Sequence, residues 1–201
     1  MEADNIDGKK EPKRLPVWAC IPLFIVVLFI FIGLYGTLVS GGLSLVLGVE
    51  ARHPGVVGYI FVEGSMLLAV LTAAVILLRL ERRPFSDLGL SLKGYASGLW
   101  YGLLMAILLY LLGFGISVVL GEIEVTGFQF KPLDLLGSWV FFLLVALFEE
   151  ILMRGYILGR LLHTNMNKFL ALFISSALFA FMHIFNPEIA FLPMLNLLLA
   201  G

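Results

Sequence analysis

Residues 135–162 read LLGSWVFFLLVALFEEILMRGYILGRLL, and how this stretch is taken decides the fold. From Leu135 to Phe148 it carries no charge, and "ILGRLL" at its end is nearly as apolar. Between them stand two adjacent carboxylates, Glu149 and Glu150, and an arginine, Arg154. About 20 apolar residues in a helix span the roughly 30 Å hydrocarbon core of a bilayer. Composition decides that lipid is the solvent. The chain is 61% hydrophobic and 13% charged, with a mean hydropathy of +1.04. Soluble domains are roughly 45–50% apolar and roughly 25% charged. A soluble domain of 201 residues could not hide so much apolar surface in one core. A spanning chain must satisfy its own backbone, and no barrel-like alternation is present, so the segments are helices.

Working outward, similar apolar runs cover Val17–Val39, Val56–Leu78, Ala96–Leu120 and Phe169–Phe185, and a last one starts near Ile189. The expected fold is all-α: a polytopic transmembrane helix bundle with about five full spans plus the start of a sixth. Residues 1–16 form a polar arm of disordered composition, and 17–201 a single transmembrane helical domain. The first helix is too long for a signal-peptide core and lacks a small-residue cleavage pattern, so it reads as an uncleaved anchor. Basic residues cluster in the arm (Lys9, Lys10, Lys13, Arg14), in the second loop (Arg79, Arg82, Arg83, Lys93) and in the fourth (Arg160, Lys168). The first loop has only Arg52 and the third only Lys131. The positive-inside tendency then puts the N-terminus in the cytoplasm of a multi-pass protein of the plasma (inner) membrane. The net charge of -1 and pI near 6.3 give no sign of a nucleic-acid partner. Cys20 is the single cysteine, which excludes an internal disulfide and leaves it a packing role. Gly98-x-x-x-Gly102 fits close helix packing. Trp18, Trp100 and Trp139 fall near helix ends, as interfacial anchors should.

An ionised side chain at the bilayer centre costs at least about 2.5–3.5 kcal/mol on insertion scales, so it needs a polar cavity or a partner. Glu150 and Arg154 are spaced i,i+4 and can pair as a buried ion pair. Glu149 points about 100° away around the helix. Val145 and Met153 occupy its i±4 positions, so its partner must come from another helix. "LFAFMHIFN" (178–186) offers His183, with Phe179 one turn earlier and Asn186 just after, capping its helix or lining the site. A naive ladder of standard spans leaves Glu149 and His183 about 10 Å apart in depth, unless the fourth helix is long or tilted. A carboxylate beside an imidazole in a dry pocket can hold and deprotonate a water. The two can also share a divalent metal that does so. Equally, Glu149, Glu150, Arg154 and His183 can form a structural polar network between two helices. Glu63, within the second helix, reads as an interfacial or hydrogen-bonded residue, or as a further cavity group.

Glu149-Glu150-x-x-x-Arg154, then Phe179-x-x-x-His183, then Asn196 in "FLPMLNLLLAG", resembles the CPBP family of intramembrane metalloproteases. This is the CAAX prenyl protease and bacteriocin-processing group, once called Abi. "RRPFSDLGL" (82–90) looks like the segment that precedes the family's catalytic helix. The resemblance covers roughly residues 79–201, with its sharp motifs in 148–201. It implies an intramembrane endopeptidase that cleaves a membrane-presented peptide or protein, prenylated or not, in CAAX-box protein processing. The implied roles are water activation by Glu149 and His183, bracing by Glu150 and Arg154, and a cavity lined by Phe179, Asn186 and Asn196. The implied cofactor, where a metal assists, is a divalent ion such as zinc on Glu149 and His183. The family also carries a later His-x-x-x-Asn motif, which this sequence does not reach before Gly201; the expectation is a C-terminally incomplete chain. His53 and His163 cannot stand in, since neither is followed by Asn four residues on.

Other hydrolytic constellations are missing. No H-E-x-x-H or G-x-S-x-G occurs, and Asp4, Asp7, Asp87 and Asp134 supply no pair inside two helices. Two functions therefore stand: an intramembrane endopeptidase, or a non-catalytic membrane scaffold or binding protein that keeps the Glu/Arg/His network for structure.

Overall fold

A computed structural model describes residues 15–47, 55–91, 93–127, 129–184, 186 and 190–201, with the backbone alone at Leu47 and Ala96. The arm through Arg14, Arg52 and His53 of the first loop, Phe185, and the expected helix start at Ile189 lie outside the described residues.

The long apolar runs form the long helices. They are α1 (Val17–Leu47), α2 (Gly55–Leu80), α3 (Ala96–Val119) and α4 (Pro132–Leu162). Two shorter apolar helices follow, α5 (Lys168–Met182) and α6 (Phe191–Ala200). No strand occurs among the described residues. Pro132 occupies the first turn of α4, where its missing N–H is no loss. Asn167 caps α5, its side chain accepting from the Phe169 N–H at 2.8 Å. The protein is an integral membrane protein built as a polytopic helical bundle, and four of its helices are long and apolar enough to cross. The expected fifth full span is shorter than read. α5 stops at Met182 after 15 residues, or about 22 Å, short of the roughly 30 Å hydrocarbon layer.

α4 is not uniform. It is α-helical over Pro132–Glu150, widens into a π-helix over Ile151–Leu158, and closes with an α turn, Gly159–Leu162. π-helix is rare and frequently found at functional sites. Here it begins one residue after the Glu149–Glu150 pair.

α1 and α2 run antiparallel, joined by Tyr35 Oη and Thr72 Oγ1 at 3.3 Å. α2 and α4 run in the same direction. Near their starts Tyr59 meets Phe141 edge-on at 6.2 Å, and near their ends Tyr156 reaches Glu81. Ala69, Ala73 and Ala74 on α2 are fully buried, their small side chains leaving room for Phe24 and Leu28 of α1 and Leu152, Tyr156 and Ile157 of α4. Among its described side chains, α3 has none buried.

Close backbone packing falls elsewhere than expected. A Cβ added at Gly98 or Gly102 would meet nothing within 4 Å, so this pair brings no described neighbour close. The close approach belongs to Gly155 and Gly159, in and just after the π segment. There an added Cβ would lie 3.2 Å from the Leu88 carbonyl oxygen and 3.6 Å from that of Asp87. Both carbonyls belong to a 3₁₀ turn, Phe85–Leu88, that follows α2. α4 thus lies against the backbone of this turn, closely enough at Gly155 that a side chain would push the Leu88 carbonyl by a few tenths of an ångström. Gly155→Val is expected to lower stability by about 1–3 kcal/mol through overpacking. Gly98→Ala is expected to be neutral, or to gain up to about 1 kcal/mol from helix propensity. Thermal melts in detergent check this, and an unchanged Gly155→Val melt would contradict the packing described.

Candidate active site

Glu149 and His183 meet because α4 is longer than a standard span. Glu149 stands about 20 Å from the Leu162 end of α4, and His183 about 22 Å from the Lys168 end of α5. A five-residue turn joins those two ends, so the side chains arrive at one level. The 10 Å offset expected from standard spans is thereby removed, since the helix continues through the apolar 151–162 segment. Glu149 Oε1 lies 3.6 Å from His183 Nε2.

The histidine's tautomer follows from its other contact. His183 Nδ1 is 2.8 Å from the Phe179 carbonyl oxygen. A carbonyl only accepts, so Nδ1 carries the hydrogen, and in the neutral ring Nε2 is then the nitrogen with the lone pair. That lone pair faces a carboxylate oxygen, another acceptor. Two acceptors 3.6 Å apart need a proton or a donor between them. A water about 2.8 Å from both atoms would stand to one side, about 2.1 Å from the line joining them. Both side chains are only partly exposed, Glu149 at 32% and His183 at 22%. Glu63 of α2 is half-buried, and its charge and that of Glu149 are near enough to repel.

Arg154 gathers the elements around this pair. Its Nη1 is 3.2 Å from Glu150 Oε1, its Nη2 donates to the Ala200 carbonyl at 2.7 Å, and its guanidinium stands 5.4 Å from the Phe179 ring centroid. Phe179 in turn lies against His183, ring centroids 4.6 Å apart. The expected i,i+4 ion pair forms, but it is not buried: the Glu150 side chain is 57% exposed. The reason is rotational. Glu149 faces α5, and the next residue turns about 100° away from that contact. Arg154 therefore matters less as a neutralising partner than as a tie from α4 to α5 and α6.

The two asparagines stand outside this cluster. Asn186 is exposed and joins His183 through its backbone N–H, donating to the His183 carbonyl at 3.0 Å, rather than by a side-chain cap. Asn196 is also exposed, and Leu197 beside it packs on the core instead. His163 stays in the turn after α4, its Nδ1 2.7 Å from the Gly159 carbonyl oxygen.

A second polar cluster escaped the sequence reading. Glu81, in the turn after α2, is 3% exposed. Tyr156 Oη donates to its Oε1 at 2.7 Å, and Arg160 Nη2 lies 2.6 Å from its Oε2, an ion-pair contact whose angle falls short of a hydrogen bond. Arg83 Nε is 3.8 Å from the same oxygen, and Arg83 Nη1 donates to Asp87 at 2.9 Å. Cys20 is fully buried as expected, and its sulfur also receives Arg160 Nη2 at 3.6 Å. Arg160 and Arg83 had read as loop charges marking topology. Both are largely buried in this network, Arg160 within the last turn of α4. The available signal was the acid in "LRLERRPFSDL", a lone Glu81 among arginines at a helix end.

A catalytic zinc usually keeps three protein ligands. Glu149 and His183 supply two, and among the described residues no group of three His, Cys, Asp or Glu side chains could hold a metal ion. The described donor set thus does not fit the metal that the resemblance implies.

With this geometry in hand, the comparison is specific. Residues 131–201 match the family described as Type II CAAX prenyl endopeptidase Rce1-like. The match supports the CPBP/CAAX protease family on the segment that holds Glu149, Glu150, Arg154, Phe179, His183 and Asn196. No curated protein and no solved structure matches the chain.

Removing Arg154 should loosen α6 and the Phe179 platform. Arg154→Ala is expected to cost about 1.5–3 kcal/mol, the range for hydrogen bonds to charged groups. Arg154→Lys should recover only part, because an ammonium cannot span the two acceptors as a guanidinium does. Detergent melting measures both, and wild-type melting of Arg154→Ala would show that the tie is not structural.

Proposed function

We propose that this protein is an intramembrane endopeptidase of the CAAX type, with Glu149 as the general base for water. The observation that carries the reading is the 3.6 Å approach of Glu149 Oε1 to His183 Nε2, near enough for one water beside them to touch both. The family match over residues 131–201 supports protease activity in general. In the proposed mechanism Glu149 takes a proton from the water as it attacks the scissile carbonyl. His183, held by the Phe179 carbonyl, orients that water and steadies the carboxylate as it picks up the proton. Glu149 then delivers the proton to the leaving amine. Arg154 and Phe179 hold the histidine's helix against α4. The substrate is a peptide or protein presented within the bilayer, prenylated or not. No step is routed through a metal.

Glu149→Gln keeps size and much of the hydrogen bonding but removes the proton acceptor. A general base is worth roughly 10²–10⁴ in rate. Losing one polar contact costs only about 0.5–1.5 kcal/mol of stability. In the whole protein as its gene encodes it, Glu149→Gln and His183→Ala are both expected to abolish cleavage of a membrane-presented peptide. Glu149→Gln should melt nearly as wild type. Cleavage at the wild-type rate by Glu149→Gln would sink the protease reading, and loss of fold in step with loss of cleavage would favour a structural network.

The orientation proposed from the basic residues has the N-terminus in the cytoplasm of the plasma (inner) membrane. α3 separates Lys93 from Glu124. Reporter fusions at Lys93 and Glu124 should accordingly report opposite sides, cytoplasmic for Lys93. A shared location would overturn this topology.

A further inference from the structure

The buried cluster at the far end of α4 has no part in the water-activating pair, yet it is the better-enclosed of the two polar sites. The Glu81 and Arg160 side chains are 1% and 7% exposed, against 32% and 22% for Glu149 and His183. Its charges balance, Glu81 and Asp87 against Arg160 and Arg83. That balance is what makes burial tolerable, since an unpaired charge there would be costly. The cluster joins three helices and a turn. Tyr156 stacks on Phe24 of α1 with ring centroids 3.8 Å apart, while its hydroxyl and the Arg160 guanidinium both engage Glu81 after α2.

The π-helix, Ile151–Leu158, starts just after Glu149 and Glu150 and runs into this cluster, with Tyr156 inside it and Arg160 just beyond. A π turn holds more residues than an α turn, so each residue advances less around the axis. Tightening the segment to α-helix would rotate its two ends relative to each other. Glu149 could then face His183, or Tyr156 and Arg160 could face Glu81, but not both. The Glu149–His183 approach at 3.6 Å is loose and partly exposed, so it cannot by itself hold the wider helix. The enclosed cluster can.

We propose that Glu81, Tyr156 and Arg160 are positioning residues: by locking the far end of the π-helix they set the rotation at which Glu149 faces His183. This rests on the protease reading for its catalytic consequence, but not for its geometry. Tyr156→Phe is the sharpest probe, because it keeps the ring stack on Phe24 and deletes only the hydroxyl that binds Glu81. A misplacement of about 1 Å can cost on the order of 10²-fold in rate.

The test uses the whole protein in lipid vesicles. Tyr156→Phe is expected to lower kcat by about 10–100-fold for a membrane-presented peptide, while KM stays near wild type and the melting temperature falls only as far as the loss of one buried hydrogen bond takes it, the protein staying folded. A second arm needs no substrate. Cysteines introduced as Glu149→Cys and His183→Cys are joined by a short bifunctional thiol reagent, with and without Tyr156→Phe. The cross-link yield should fall several-fold in the Tyr156→Phe background. Unchanged kcat per folded molecule together with unchanged cross-linking would overturn the proposal. A lowered melt with kcat and cross-linking intact would make the cluster merely structural, and would overturn it too. If Tyr156→Phe does not fold, Arg160→Lys, which keeps the charge, replaces it in both arms. Should the wild type fail to cleave, the protease reading falls alone, and the cross-link still decides the positioning role.

Discussion

Charge inside hydrocarbon is the constraint on which this structure turns. Each ionised side chain within the bilayer must find a partner or a polar cavity, at a cost otherwise of at least about 2.5–3.5 kcal/mol. In this chain the partners are largely on other helices. Glu149 looks to His183 on α5, Arg154 ties α4 to α6 as well as to Glu150, and Glu81 is closed over by Tyr156 and Arg160 of α4. α4 is the common member of all three. It serves two polar sites, with Glu149 before its π segment and Tyr156 and Arg160 toward its end.

The apolar packing is arranged around the same helix. Alanines on α2 let α1 and α4 close over it, and Gly155 and Gly159 let the π segment lie on the backbone of the Phe85–Leu88 turn. Backbone contact of this kind is stiff, because there are no long side chains to repack. It holds the end of α4 that carries Tyr156 and Arg160, while the end carrying Glu149 is held more lightly.

Much of this was legible in the sequence, for identifiable reasons. Long uncharged runs named the spanning helices, since hydropathy over about 20 residues is a sum that local detail cannot hide. The search for a partner for Glu149 led to His183 because Val145 and Met153 could not serve. The end of α5 was not legible, as the apolar pattern runs on past Met182 through "HIF". Nor was the Glu81 cluster: its members lie some 75 residues apart, between Glu81 and Tyr156, and only the parallel register of α2 and α4 brings them together. Gly98-x-x-x-Gly102 and Gly155-x-x-x-Gly159 share one spacing, and only the tertiary contacts tell the packed pair from the open one. The π segment has no local marker, because it answers to contacts at both of its ends.

On the proposed mechanism Glu149 acts as a base on a water rather than as a nucleophile on the peptide. Oxygen-18 water tests for the nucleophilic route, since an anhydride that water opens at the Glu149 carbon leaves label in that carboxylate. After many turnovers in labelled water, the account expects one labelled oxygen in the new carboxyl terminus of the product and none in the side chain of Glu149, both read by mass spectrometry. Label accumulating in the Glu149 carboxylate would mean that it had been acylated and released by water, and would contradict the account.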